Sequence, residues 1–113
     1  MSASAITVEV AAGELLDKIT ILEIKEAKFT DETKLANVRA ELETLRAARD
    51  ANLPATADIE RAVDGLREVN RQLWEIEDEI REHERKRDFG ERFVELARAV
   101  YKTNDRRAEL KRE

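Results

Sequence analysis

Hydrophobic positions along the chain recur at spacings of three and four residues, which places their side chains on one face of an α-helix. The longest such stripe comprises Ile59, Ala62, Leu66, Val69, Leu73, Ile76, Ile80 and His83. A mainly polar stripe runs beside it and comprises Asn70, Trp74, Glu77, Arg81 and Glu84. Together the two stripes predict one long helix over residues 57–87, with a core-facing seam and a charged boundary, as in helical bundles and coiled coils.

Three further helices are predicted at about residues 13–29, 32–50 and 90–112. The apolar residues of the first point nearly all round the helical wheel, so we expect this helix to be the most enclosed. The second follows a candidate N-cap at Thr30 or Asp31. The fourth is expected to begin with a capping box formed by Asp88 and Glu91. Its core-facing line comprises Phe93, Leu96, Val100, Thr103, Arg107 and Leu110.

The connections indicate how these helices are arranged. Pro54 interrupts the helical pattern, and the short connection around it favours an antiparallel hairpin of the second and third helices. Ile6, Val8 and Val10 alternate with polar residues, which is typical of a short extended segment. Such a segment would lie along a helix or pair with its copy in another subunit. The prediction for residues 1–113 is therefore a single all-α domain, an antiparallel hairpin or bundle of about four helices.

Composition narrows the functional classes. Of the 113 residues, 42% are charged and 4% are aromatic, and the chain has only 3 glycines and 1 proline. This composition is typical of long helices exposed to solvent. The absence of cysteine excludes disulfides, thiol catalysis and cysteine-type zinc sites. A net charge of −5 argues against binding nucleic acid or anionic membranes. Because the sequence has no signal-peptide pattern and no membrane-length apolar run, we expect a cytoplasmic protein.

Paired carboxylates offer one candidate chemistry. Two helices that each present acids three residues apart can hold Mg²⁺ for pyrophosphate chemistry. The best set is Glu14 and Asp17 on the first helix with Glu75 and Asp78 on the third. However, pairs with this spacing arise by chance in a chain so rich in acids. A magnesium-dependent pyrophosphohydrolase is therefore kept as an alternative.

The other residues that could carry catalysis are few. His83 is the single histidine, and Ile80 stands where a Glu-x-x-His di-iron motif would need glutamate, so that kind of site is excluded. Serine occurs only at positions 2 and 4, so nucleophile–histidine catalysis lacks its usual residues. We expect His83 to have a structural role.

Polar residues on the first, third and fourth helices could converge into one cluster if these helices pack together. The candidate members are Asp17, Lys18, Trp74, Glu77, Asp78, Arg81, Tyr101, Asn104, Asp105 and Arg107. Trp74 is expected at the boundary of the core, either packed against the fourth helix or forming part of a ligand pocket or interface.

Arg107 interrupts the core-facing line of the fourth helix. An unpaired guanidinium there would be costly, so we predict that it pairs with Asp17, Glu77 or Asp78. Both a structural cluster and a ligand site require this pair. A ligand site would also need a cavity beside it, with Lys18, Arg81 or Tyr101 on its wall.

Three stretches carry a resemblance to a known family: GELLDKITILEIK at residues 13–25, LWEIEDEIR at 73–81 and LARAVYKTNDRRA at 96–108. They resemble a family of small bacterial helical proteins that is classified as a domain of unknown function. The resemblance implies a role accessory to bacterial glycan or surface-polysaccharide metabolism, and a native C-terminus that extends past Arg112. It implies no catalytic residue, because the function of that family is unassigned.

The sequence as a whole favours a cytosolic interaction or assembly module without a cofactor, rather than an enzyme. A homodimer is expected, because the third helix is too long for its two stripes to be covered by the first two helices. The alternative is a small-molecule or phosphate-binding bundle, with the magnesium pyrophosphohydrolase as its enzymatic form.

Overall fold

Four α-helices make up the regular structure of the described part of the chain. A computed structural model describes residue 6 and residues 8–112. The helices are α1 (Ala12–Lys28), α2 (Glu32–Asn52), α3 (Ala57–Arg85) and α4 (Glu91–Arg112). This described part contains no strand, so the all-α class is confirmed. None of these helices is long and apolar enough to cross a membrane.

Helix α1 lies at the centre of the fold. It packs against α2 on one side and against α3 and α4 on the other. Its contact with α2 is built on a buried cluster of Ile19, Leu22, Val38 and Leu42. The remaining buried apolar side chains come from α1, α3 and α4: Leu16, Leu66, Val69, Leu73 and Leu96. Because both sides of α1 are covered, the expectation that the first helix is the most enclosed is confirmed.

The predicted hairpin of the second and third helices is wrong, because α2 makes no packing contact with α3 or α4. The buried residues of α2, Val38 and Leu42, pack on α1 instead. Two other antiparallel hairpins form, α1 with α2 and α3 with α4. In the second hairpin, the Arg92 guanidinium on α4 donates hydrogen bonds of 2.9 and 3.0 Å to the Glu79 carboxylate on α3. The apolar face of α2, rather than the length of its connection to α3, decides where it docks.

The N-terminal residues Ile6, Val8 and Val10 are exposed and form no strand, and Thr7 lies outside the described residues. Their exposure means that these three side chains are not buried against a helix. Its pairing with a second copy stays a prediction. Ala11, at the start of α1, has extended backbone geometry and caps the helix with no side-chain hydrogen bond.

Side-chain caps begin two of the helices. The Asp31 carboxylate accepts a bond of 3.0 Å from the Lys34 N–H, as predicted for α2. The Thr56 hydroxyl accepts one of 3.3 Å from the Ile59 N–H in the first turn of α3. The capping box predicted for Asp88 and Glu91 is wrong. Asp88 instead accepts from the Gly90 N–H, because it lies too far ahead of the helix to cap its first turn.

The end of α3 is closed by a Schellman motif. The Asp88 N–H donates to the His83 carbonyl at 2.9 Å, and the Arg87 N–H donates to the Glu84 carbonyl at 3.0 Å. The His83 ring nitrogen Nδ1 also lies 3.2 Å from the Asp88 carbonyl, which gives the single histidine a place in this turn. Arg87 adopts a left-handed conformation with φ of 54°, a geometry that favours glycine.

Arg87→Gly is therefore expected to raise the free energy of unfolding by about 0.5–1 kcal/mol, because glycine relieves the left-handed strain. Urea denaturation of the purified variant measures this. Lys86→Gly is the matched control, since Lys86 has a φ of −84° and gains nothing from glycine. A loss of stability in Arg87→Gly equal to that in Lys86→Gly would contradict the prediction.

Gly13 lets the C-terminal end of α4 approach α1. A Cβ at this position would overlap the backbone carbonyl of Lys111, which cannot move without displacing the last turn of α4. A Cβ on Gly65 would lie 3.2 Å from the Leu110 side chain, which can rotate away. The close packing of α4 therefore requires glycine at position 13, whereas position 65 can accept a larger residue, although both glycines lie within helices.

Gly13→Ala is expected to lower the free energy of unfolding by about 2 kcal/mol, because the overlap outweighs the roughly 1 kcal/mol by which alanine favours a helix. The control, Gly65→Ala, should change stability little or raise it. Thermal and urea unfolding of both variants test the contrast. Stabilisation by Gly13→Ala would show that α4 does not approach α1 as closely as described.

Candidate functional site

Asp17 is a buried acid at the centre of the helix packing, with 3% of its surface exposed. It lies where α1 faces both α3 and α4. Its Oδ1 accepts a bond of 2.8 Å from Asn70 Nδ2 on α3. The same amide nitrogen donates to Thr20 Oγ1 at 2.9 Å, and the Thr20 hydroxyl donates to the Asp17 carbonyl at 2.7 Å. These bonds join α1 to α3 through buried polar groups.

Arg107 reaches the same carboxylate from α4. Its Nε donates to Asp17 Oδ1 at 2.9 Å and its Nη2 donates to Asp17 Oδ2 at 2.6 Å. The predicted pairing of Arg107 with Asp17 is therefore confirmed, and it is bidentate, the arrangement that suits a planar guanidinium. Nη1 donates to Asn104 Oδ1 at 3.5 Å. We call Asp17, Thr20, Asn70, Asn104 and Arg107 the Asp17–Arg107 network.

A second pair lies at the edge of this network. Lys111 Nζ is 3.1 Å from Glu14 Oε1 and 4.0 Å from Asp17 Oδ2. Within residues 8–112, every buried side-chain nitrogen or oxygen has a hydrogen-bond partner. The network thus holds α1, α3 and α4 together without leaving a buried polar group unsatisfied.

The network keeps its two central charges ionised. Burial by itself raises the pKa of Asp17, but hydrogen bonds from Arg107 and Asn70, with the charges of Arg107 and Lys111, outweigh it and hold the pKa below its usual value. The hydrogen bond to Asp17 raises the pKa of Arg107 despite partial burial. Neither group therefore exchanges a proton near neutral pH, which does not suit general acid–base catalysis.

Acid should weaken the fold through Asp17. Because its folded pKa lies below its ordinary value of 3.8, the stabilisation is complete above that value and is lost as the pH falls through the folded pKa. We expect the free energy of unfolding of the natural chain to fall more steeply with acidification than that of Asp17→Asn. Urea titrations from neutral pH to below pH 4 measure both slopes, with the exposed Glu43→Gln as control. Equal slopes in the natural chain and Asp17→Asn would contradict the prediction.

A cleft of about 410 Å³ opens beside the Asp17–Arg107 pair, between α1, α2 and α4. Its lining residues are Val10, Glu14, Leu15, Asp17, Lys18, Ile21, Leu45 and Arg107. Lys18 thus stands on the wall of a cavity next to the buried pair, as expected of a ligand site. Its Nζ lies 3.2 Å from Glu41 Oε1 on α2, and both side chains are exposed.

Comparison with known proteins places the chain in a family. The family model DUF6165, described as a family of unknown function, matches residues 6–113. The chain belongs to this family. No curated protein and no solved structure matches it. The function of this DUF6165 protein is therefore inferred from its own residues.

The remaining candidates for the polar cluster lie apart from the network. Asp78 and Arg81 pair with each other on the exposed face of α3. Tyr101 and Asp105 are exposed on α4. Glu77 is also exposed, although its charge contributes to the raised pKa of Arg107. The predicted cluster is thus partly assembled, through Asp17, Asn104 and Arg107, with Lys18 on the adjoining cleft.

Trp74 is half-buried, as expected for a residue at the core boundary. Its ring packs against Phe29 just after α1, with ring centroids 6.2 Å apart and planes tilted by 53°. This aromatic contact is with the end of α1. Packing of Trp74 against the fourth helix and its place in a ligand pocket or an interface stay predictions.

Sequence reasoning did not assign Thr20, Asn70, Glu14 and Lys111 to this cluster. The position of Thr20 could have indicated its membership, since a polar side chain buried within the most enclosed helix needs a hydrogen-bond partner. Asn70 stood in the polar stripe of α3, one position from the apolar seam. The sequence does not indicate which of several polar residues along that stripe faces Asp17, because this depends on how α1 and α3 cross.

The four carboxylates of the predicted magnesium site do not converge. Glu14 pairs with Lys111, and Asp17 pairs with Arg107. Glu75 lies 2.6 Å from Arg71 on its own helix, and Asp78 pairs with Arg81. In the described part of the chain, no group of three or more acidic, histidine or cysteine residues is arranged to hold a metal ion. Each of the four acids instead has a basic partner.

Proposed function

We propose that this DUF6165 protein is an interaction or assembly module rather than an enzyme. The observation that carries the proposal is the outer face of α4, where Val94 and Tyr101, seven residues apart, are 45% and 57% exposed. Tyrosine is enriched at interfaces, because its ring buries apolar area while its hydroxyl bonds to water or a partner. The full pairing of the buried charges adds support, since it leaves the network without a group free to react.

The proposed partner is a second copy of the chain, in a symmetric homodimer. The length of α3 does not supply the reason for this dimer. α1 and α4 pack against α3, and the large exposed hydrophobic residues of the described chain all lie outside α3. The α4 face, rather than an uncovered stripe of α3, is therefore the surface we propose for self-association. We further propose a cytoplasmic location and an accessory role in glycan or surface-polysaccharide metabolism.

Sedimentation equilibrium at high micromolar concentration tests self-association. We expect a dimer, and Tyr101→Lys should weaken it by about tenfold or more, because an exposed aromatic at an interface centre is a typical hot spot. Val8→Lys is the matched control, an exposed apolar residue outside α4. A monomer at this concentration would contradict the dimer. Dissociation by Val8→Lys alone would transfer the interface to the N-terminal segment.

The enzymatic alternative is tested separately. Release of pyrophosphate from a panel of nucleoside triphosphates, with and without Mg²⁺, distinguishes the two classes of function. We expect no magnesium-dependent release. Release that disappears in Glu75→Gln and Asp78→Asn would overturn the proposal in favour of a pyrophosphohydrolase.

A further inference from the structure

The cleft beside the Asp17–Arg107 network contains hydrogen-bond donors that the network does not use. A guanidinium carries five N–H groups in a plane and can present two bidentate edges. Asp17 occupies the edge formed by Nε and Nη2. On the other edge, between Nη1 and Nη2, Arg107 makes one long bond, from Nη1 to Asn104 Oδ1 at 3.5 Å. Arg107 lines the cleft, its side chain is 26% exposed, and this edge makes no other hydrogen bond within the described residues.

Lys18 adds a second cation to the wall. Its ammonium has three N–H donors, and its one ion pair in the described chain is with Glu41 at 3.2 Å. An exposed pair of this kind contributes little and yields readily to a competing anion. The acids at the cleft are engaged by bases already, Asp17 by Arg107 and Glu14 by Lys111. The hydrogen-bonding capacity left on the wall therefore consists mainly of donors.

The other part of the cleft is apolar, with Val10, Leu15, Ile21 and Leu45 in its lining. A volume of about 410 Å³ lies within the range of small-molecule sites. Apolar lining beside a fixed guanidinium suits a ligand with an apolar body and one anionic group. Asp17 holds the guanidinium in place before a ligand arrives, which lowers the entropic cost of binding.

We propose that this cleft binds a small amphiphilic oxyanion, a carboxylate or a phosphate monoester. The free edge of Arg107 forms a bidentate contact with two of its oxygens. Lys18 turns from Glu41 to a third oxygen or to the same group. The hydrocarbon part lies on Leu15, Ile21 and Leu45. This function is separate from the proposed self-association, since the cleft lies between α1, α2 and α4 and does not include Val94 or Tyr101.

Nuclear magnetic resonance titration of the full chain tests the proposal. The probes are inorganic phosphate, hexyl phosphate and hexanoate, each compared with sodium chloride at equal ionic strength. We expect changes at the Arg107 Nε–H signal and at the amides of Lys18, Ile21 and Leu45, larger for the hexyl compounds than for phosphate. Binding of hexyl phosphate alone or of hexanoate alone supports the proposal and identifies the anionic group.

Matched variants distinguish specific binding in the cleft from non-specific attraction of anions to surface cations. Lys18→Ala should weaken binding about threefold, as expected for an exposed cation. Lys102→Ala removes the same charge from an exposed position on α4 outside the cleft and should leave affinity unchanged. Arg107→Lys keeps a cation beside Asp17 without the planar fork and should abolish the response. If none of the probes shifts these signals, or if Lys18→Ala and Lys102→Ala bind equally, the proposal is overturned, while the result for self-association stands unaffected.

Discussion

Arg107→Ala is expected to lower the free energy of unfolding by about 3 kcal/mol, because it leaves the Asp17 carboxylate buried without its main partner. The carboxylate would retain Asn70, at 2.8 Å, and the more distant Lys111. These contacts do not replace two short bonds to a guanidinium. Urea denaturation at neutral pH measures the loss, and circular dichroism checks that the helices are retained.

Two comparisons isolate the pair. In Asp17→Ala/Arg107→Ala the loss should be smaller than the sum of the single losses, since no charge is stranded. Arg61→Ala removes an exposed arginine that pairs with Asp58 one turn away on α3, and should cost less than about 1 kcal/mol. If Arg107→Ala costs no more than Arg61→Ala, the network contributes little to stability.

Trp74→Ala should lower the free energy of unfolding by about 3 kcal/mol, because it removes a large half-buried ring and its contact with Phe29. The fluorescence of Trp74, the single tryptophan, should lie between that of a buried and that of a fully hydrated indole. Steady-state emission and urea unfolding of the natural chain and the variant test both expectations.

Trp74→Phe is the control for this second substitution. It keeps an aromatic ring beside Phe29 and should recover most of the stability lost in Trp74→Ala. A fully water-exposed emission spectrum, together with no loss of stability in Trp74→Ala, would mean that Trp74 does not lie at the core boundary.

Much of the secondary structure could be predicted because it depends on local chemistry. Apolar spacing of three and four residues marked all four helices, and Pro54 and Asp31 marked boundaries between them. The packing of α2 could not be predicted in the same way. A short connection brings the ends of two helices close but does not fix the direction in which they leave it. The apolar residues Val38 and Leu42 pack α2 against α1. Which helix α2 packs against depends on how well the surfaces of the two helices fit together.

The central pair of the site could be predicted because a guanidinium in an apolar line requires a carboxylate, and few acids lie on enclosed helix faces. Asp17 was among those few. The helix faces of Asp78, Arg81 and Asp105 place them in the same predicted cluster. However, polar residues on one helix face also pair with each other one turn apart, as Asp78 and Arg81 do. The periodicity of a helix predicts which face a residue lies on, to within one position. It does not predict the angle at which α1 and α3 cross, and this angle places Asn70 against Asp17.

Because α2 packs against α1 alone, its loss would leave the contacts among α1, α3 and α4 intact. The Asp17–Arg107 network lies wholly within that three-helix part. Cooperative unfolding units commonly follow such divisions, with the element of fewest partners opening at the lowest free energy. The backbone amides of α2 should therefore exchange hydrogen with solvent through partial opening, well before those of α1 and α3. The chain would then behave as a stable three-helix body with one detachable helix.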